Sequence, residues 1–242
     1  MEKVIAVLRR AESDEAWCER QRGPVADALL GLGLPGLAVN VRDDAVRGSL
    51  MTLTTLDPPA TAVVSMWTQQ CYGAQATAAL DILAGECDQL GAYLVTESAP
   101  QPGPAIELGI RTTGLANIAL LRRPAELDQA TWLDRWQRQH TPVAIETQST
   151  FGYTQNWVVR TLTPNAPDIA AIVEELFPAE AITDLGAFFG AADDADLQDR
   201  LGKMVASTSA FGANKNIDTV PTSRYIFATP FSQGAFSHSA TP

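Results

Sequence analysis

The chain opens on an alternating β-rich run over residues 3–10, and a run of the same kind lies at 116–123. The segments after the two runs also match. Ile5-Ala-Val-Leu-Arg9-Arg10 is answered by Ile118-Ala-Leu-Leu-Arg122-Arg123, the helical segment around Trp17 by one around Trp132, and Pro24-Val25-Ala26 by Pro142-Val143-Ala144. Gly36-Leu-Ala-Val-Asn40 is then answered by Gly152-Tyr-Thr-Gln-Asn156, and Tyr93 by Tyr225. One match of this kind is chance. A series in the same order reads as two copies of one unit.

Each copy predicts the same elements. The first helix of the second copy starts at Asp128 as N-cap and carries Trp132, Leu133, Trp136 and His140 at helical spacing. Pro142 marks where regular helix is disturbed, because proline lacks a donor and clashes with the preceding turn. Second strands are placed at about 36–42 and 151–161, third strands at 61–68 and 169–177, second helices at 72–88 and 194–207, and last strands at 91–97 and 221–229. The order β-α-β-β-α-β is a ferredoxin-like unit with both helices on one face of an antiparallel sheet. In the third strand of copy two both alternating sets are mainly apolar, so both sheet faces are covered. The fold class is therefore α+β, with two tandem repeats whose sheets pack face to face into an α/β barrel. The repeats span 1–99 and 114–230, a Pro/Gly-rich linker covers 100–113, and a mobile tail is expected at 231–242.

Composition narrows the role. The 242 residues carry 17 Lys+Arg against 28 Asp+Glu, a net charge of -11, which disfavours nucleic acid and anionic membrane surfaces as partners. No apolar run reaches the length of a membrane span. Three cysteines without ligand spacing argue against a disulfide framework or zinc site and for a reduced, cytoplasmic setting. A small-molecule substrate is the expected partner, with a homodimer of the two-repeat chain left open.

The second copy resembles the EthD family of the dimeric α/β-barrel superfamily. The resemblance rests on Arg122-Arg123-Pro124, on the helix from Trp132 through Trp136 and His140 to Pro142-Val143, and on Tyr153 with Asn156. It implies a small-molecule enzyme. Some members of the family are associated with breakdown of small organic compounds, and others look like cyclases or decarboxylases of polyketides. The wider superfamily also holds isomerases, cofactor-free monooxygenases and haem enzymes. Copy one is a diverged relative, with Arg22 in place of His140 and Leu37 in place of Tyr153, so a site built on that His is single per chain.

The expected chemistry is general acid/base enolisation without a cofactor. His140 acts as acid/base and Tyr153 polarises a carbonyl or enolate oxygen. Trp136 and Trp157 form walls, and Gln155, alternating with Tyr153 and Trp157, faces the same side of its strand. Adjacent Glu174 and Glu175 leave an apolar strand on opposite faces, so at least one is partly buried; Glu175 is expected at the substrate, as is Arg123 on a substrate carboxylate. Against this stand a structural salt bridge for the Arg122-Arg123 pair and a structural hydrogen bond for Asn156, which recurs as Asn40. An oxidative enzyme, cofactor-free or with His140 as haem ligand, and a non-catalytic ligand carrier are the rival readings. His238 reads as a solvated tail residue. Gly31-Leu-Gly33-Leu-Pro35-Gly36 matches a dinucleotide fingerprint only as a string, because it comes after a helix and enters a strand. Asp193, Asp194, Asp196 and Asp199 read as residues opening a helix rather than a calcium loop.

Overall fold

In the computed structural model, which describes residues 1–231, the predicted runs become eight strands joined by helices. The first repeat contributes β1 (Glu2–Arg9), α1 (Glu15–Arg20), a π-helical turn (Gln21–Val25), α2 (Ala26–Gly31), β2 (Gly36–Val41), β3 (Ala60–Thr68), α3 (Ala74–Ala84) and β4 (Gln89–Gln101). The second contributes β5 (Leu115–Leu121), α4 (Gln129–Leu133), a second π-helical turn (Asp134–His140), α5 (Thr141–Thr147), β6 (Gly152–Thr161) and β7 (Ala171–Phe177). After these come a 3-10 turn (Ala179–Ile182), α6 (Leu185–Phe189), α7 (Asp194–Phe211) and β8 (Ile217–Ala228). His238 and most of the expected tail lie outside the described residues.

The hydrogen-bonded order β1-β3-β2-β8-β5-β7-β6-β4 closes on itself as a barrel. Each repeat keeps the ferredoxin-like order, β4-β1-β3-β2 and β8-β5-β7-β6, and each last strand pairs with the second strand of the other repeat. The two sheets thus face each other as opposite walls of one barrel, joined at both seams rather than merely stacked. Barrel closure leaves no free sheet edge. The last strands outrun their predicted limits, β4 along its seam with β6 and β8 along its pairing with β5; the expected linker begins inside β4.

Alternation divides the side chains. Ile5, Val7, Val63, Val95, Ile118, Leu120, Ile172 and Val220, from both repeats, form one cluster in the barrel interior, while Val4, Leu37 and Met66 pack outward against the helices of repeat one. The third strands are buried on both faces, as their double apolar pattern requires. One sequence match is out of register. Tyr93 stands opposite Ile5, but the residue opposite Ile118 is Val220, so Tyr225 lies further along β8 than the true counterpart of Tyr93.

At one end the barrel interior is charged. Lys3 is buried and donates to Asn156 Oδ1 at 2.8 Å and to Glu174 Oε1 at 2.9 Å, with Glu97 as a third partner. Asn156 also donates to Ile172 O (3.1 Å), which confirms its structural role. Burial alone lowers the Lys3 pKa, yet its two carboxylate partners carry it above the ordinary value, and Lys3 in turn holds Glu174 below the usual carboxylate range.

Local chemistry explains the helix ends. Gly23 leaves the helical region (φ -121°, ψ -105°) just before Pro24, and the π-helical turn of repeat one absorbs that break. In repeat two the widened turn lies immediately before Pro142, where the missing donor and the ring's clash with the preceding turn disturb regular helix as expected, and it carries Trp136 and His140. Asp128 and Asp193 cap α4 and α7 through their side chains, and Gly33 (φ 72°) makes the glycine string a helix-to-strand turn. Gly212 ends α7 at φ 86°, and a Cβ there would overlap the Pro124 ring. Gly212→Ala is therefore expected to cost about 1–3 kcal/mol, seen as a lower urea midpoint at unchanged slope.

Candidate active site

A transverse row of three polar side chains marks the helix-facing side of repeat two. Asn117 on β5, Glu175 on β7 and Tyr153 on β6 are direct neighbours across adjacent strands. The matching row of repeat one, in the same register, is Val4, Met66 and Leu37. Those three are fully buried in an apolar cluster with Trp17, Cys18 and Leu29. Repeat one has filled this place with core, and repeat two has kept it polar beneath a cavity of about 290 Å³.

The cavity lies between this row and α7. Trp136 and His140 from the π-helical turn, Gln148, Phe188 and Phe189, and Met204, Thr208 and Phe211 of α7 enclose it. Met51 and Leu53 of repeat one complete the wall. Their segment is tied to repeat two by hydrogen bonds of the Leu53–Thr219 pair and by Thr55 and Leu56 N–H groups donating to Asp218. Most of the lining is apolar, with a few converging polar groups, which is the usual make-up of a small-molecule site. Phe188 stacks on Phe177 at 4.1 Å and fixes the far wall.

The electrostatics follow from burial. Glu175 is 7% exposed and forms no ion pair among the described residues. Asn117 Nδ2 donates to Oε2 at 3.4 Å, and the Gln148 amide nitrogen, turned towards it, lies 3.2 Å from Oε1. Loss of solvent pushes the Glu175 carboxyl up to about 7, against a weak opposing pull from Asn117. Tyr153 is driven far above its ordinary value by burial first and by the neighbouring Glu175 charge second, so it is a neutral phenol. His140 is pushed down to about 4 by burial; its Nδ1 lies 2.9 Å from Ser207 Oγ and its ring 4.8 Å from that of Phe211. Trp136 lines the cavity, and its buried indole N–H faces the Tyr153 hydroxyl.

His140 is accordingly expected to stay neutral well below pH 6. The charged form is penalised only in the folded state, so the His140 contribution to stability is present above pH 6.5 and lost as pH falls towards 4. A nitrogen NMR titration of the imidazole checks this; protonation near 6.5 would show an exposed ring.

The structure gathers His140, Tyr153, Trp136 and Glu175 around the cavity and leaves three expected residues outside it. Gln155 faces the same side as Tyr153 but is consumed by a bond to Thr141 Oγ1 (2.6 Å), tying β6 to α5. Trp157, next along that face, packs at the margin of the helix-side cluster and does not line the cavity. Arg123 donates to Leu127 O and lines a neighbouring hollow. Arg122 forms the structural salt bridge, with Asp218 at 2.7 Å. Glu174 and Glu175 do leave on opposite faces, one to the barrel interior and one to the cavity. Asn117, Gln148, Phe188, Phe189, Met51 and Leu53 carry no sequence signal strong enough to mark them, with one exception. Asn117 was findable, as a polar residue inside an apolar strand where repeat one has Val4.

Among the described residues no group of three His, Cys, Asp or Glu could hold a metal ion, and no helix is long and apolar enough to cross a membrane. The three cysteines are free.

Comparison with known proteins agrees with this architecture. Residues 124–205, within the second repeat, are similar to the EthD domain. The closed barrel of two ferredoxin-like repeats is the dimeric α/β-barrel fold within one chain. A solved anthrone oxidase-like protein is 8% identical, with 97% of each chain covered and a TM-score of 0.53. A variant of chlorite dismutase from Candidatus Nitrospira defluvii is 11% identical over 92% of this chain and 90% of that chain, at a TM-score of 0.45. No curated protein sequence matches.

Proposed function

We propose that the chain is a small-molecule enzyme acting on an aromatic or polyketide-like carbonyl compound, and that Glu175 removes a proton from the carbon beside the carbonyl. The observation that carries this reading is an unpaired carboxyl, poised near neutrality, in the wall of an apolar cavity. Burial favours the protonated form of Glu175, so taking a proton relieves a desolvated charge as the enolate forms. The negative charge then rests on the substrate oxygen. Tyr153, a neutral phenol, is the donor that stabilises it there. His140, neutral and held by Ser207, acts as an uncharged hydrogen-bonding wall rather than as the base.

The enolate has two fates. Protonation or bond formation at another carbon gives isomerisation, dehydration, decarboxylation or cyclisation. Capture by O2 gives oxidation: a CH2 becomes C=O, one oxygen atom enters the product and the other leaves as water. The name of the anthrone oxidase-like neighbour favours keeping this second reading, and its first step is the same.

Incubating the protein with β-tetralone, which carries a CH2 beside its carbonyl, in deuterium oxide tests the shared step. Under argon, wild-type protein is expected to speed deuterium entry beside the carbonyl, and Glu175→Gln is not. Oxygen uptake in air matched to ketone formation selects the oxidative fate. Tight binding with exchange no faster than buffer would overturn the enzyme reading in favour of a carrier.

A further inference from the structure

The wall that closes the cavity at the end of α7 also bounds a second hollow, of about 350 Å³. Phe211 and Ala213 face the cavity, Ala210, Gly212 and Lys215 face the hollow, and Asn214 borders both. Four cations line the hollow against one carboxylate, Glu126. Arg122 is neutralised by Asp218. Arg123 and Arg135 donate to the backbone carbonyls of Leu127 and Ala210, the latter at 2.7 Å, which orients their guanidinium groups without cancelling their charge. Among the described residues neither of these nor Lys215 forms a salt bridge.

In a chain of net charge -11, three unneutralised cations around one concavity go against the overall field. They repel one another there, and the same focused positive potential attracts an anion. Guanidinium groups already aimed by backbone contacts suit the fork geometry of an oxyanion.

We propose that this hollow binds an oxyanion, a carboxylate or phosphate, carried by a substrate whose apolar body occupies the neighbouring cavity. The proposal rests on the cavity reading above and adds the class of substituent. One molecule spans both spaces past Asn214. Arg123 then meets the substrate at a distance from the reacting carbon, and the anion fixes which end of the molecule enters the cavity.

The test uses two fluorescent probes that differ by one charge, anilinonaphthalenesulfonate and its neutral parent N-phenylnaphthylamine. Wild-type protein is expected to bind the sulfonate about tenfold more tightly, with an advantage that shrinks as salt rises. Arg123→Gln and Lys215→Gln should each remove most of that advantage without weakening the neutral probe. Arg138→Gln, whose side chain is 83% exposed outside the hollow, should keep it. Equal affinity for both probes, or an advantage indifferent to Arg123 and Lys215, overturns the anion site and leaves the cavity reading intact. Displacement of the sulfonate, but not of the neutral probe, by millimolar inorganic phosphate and not by chloride of equal ionic strength is also expected of an oxyanion site. Binding of neither probe overturns the cavity reading, and this proposal with it.

Discussion

Replacing Glu175 by Gln is expected to lower turnover by about 100- to 10,000-fold while changing ligand affinity only a few-fold. Glutamine keeps the shape and the contacts to Asn117 and Gln148 but can accept no proton. The same substitution should make the protein more stable in mild base. The Glu175 carboxyl is raised from 4.5 to about 7, which corresponds to about 3 kcal/mol between its two protonation states. Below pH 4.5 it is neutral in both folded and unfolded chains and imposes no penalty. As pH rises from 4.5 towards 7 the unfolded chain ionises it while the folded protein does not, so stability falls, and it stays lower above 7. Glu175→Gln should therefore melt with the wild type at low pH and above it at pH 8, while wild-type turnover rises as pH passes through 7. Loss of activity with a lower melting temperature at both pH values would mean that Glu175 serves packing. Opposed effects on activity and stability are the signature of a buried base.

Lys3→Met should be the most damaging single change to the fold. Lys3 lies in β1, and its partners Glu97, Asn156 and Glu174 lie in β4, β6 and β7, so one ammonium ties the two repeats together beside the β4–β6 seam. Its Nζ also lies 4.9 Å from the centre of the Trp67 ring. Removing it leaves Glu97 and the nearly buried Glu174 facing each other with only the more distant Arg224 as counter-charge, at a cost of about 3–5 kcal/mol. For a chain of this length that is a melting temperature lower by on the order of 10 °C. The loss should shrink in acid, where the carboxylates take up protons. In the wild type the Glu174 contribution is present above pH 4.5 and lost as pH falls below it, while that of Lys3 is present below 10.5 and lost as pH rises beyond it. A change of less than 1 kcal/mol at neutral pH, measured by urea unfolding, would show that Lys3 is not holding the seam.

Much of the fold was legible because the repeat doubles each signal. The Ile5 and Ile118 runs, the paired glycines at 36 and 152, and Asn40 with Asn156 occupy equivalent places in the barrel, and a doubly apolar β7 required cover on both faces. The tyrosine match misled because β4 and β8 run on past their shared positions along the seams, and a residue type recurring on a long strand does not fix its register. The site was half legible. Strand alternation correctly put Tyr153, Gln155 and Trp157 on one face, but the cavity is shorter than the strand, so only Tyr153 reaches it. The walls from Phe188, Phe189, Met51 and Leu53 come from segments whose position depends on packing between distant parts of the chain. Spacing also could not rank His140 against Glu175, because surroundings shift both groups. Depth of burial, which pushes the imidazole down and the carboxyl up, is the ground on which the proposed chemistry uses Glu175. The clue that the sequence did hold lay in contrast between the repeats: Val4, Leu37 and Met66 in one, Asn117, Tyr153 and Glu175 in the other.

The most direct measurement is the titration of Glu175 itself, observed by carbon-detected NMR of protein labelled at glutamate side-chain carboxyls and assigned with Glu175→Gln. A midpoint near 7 for this one signal is the expected result, and it requires no knowledge of the substrate. A midpoint near 4.5 would show a solvated or paired carboxylate and would remove the base from the proposed chemistry.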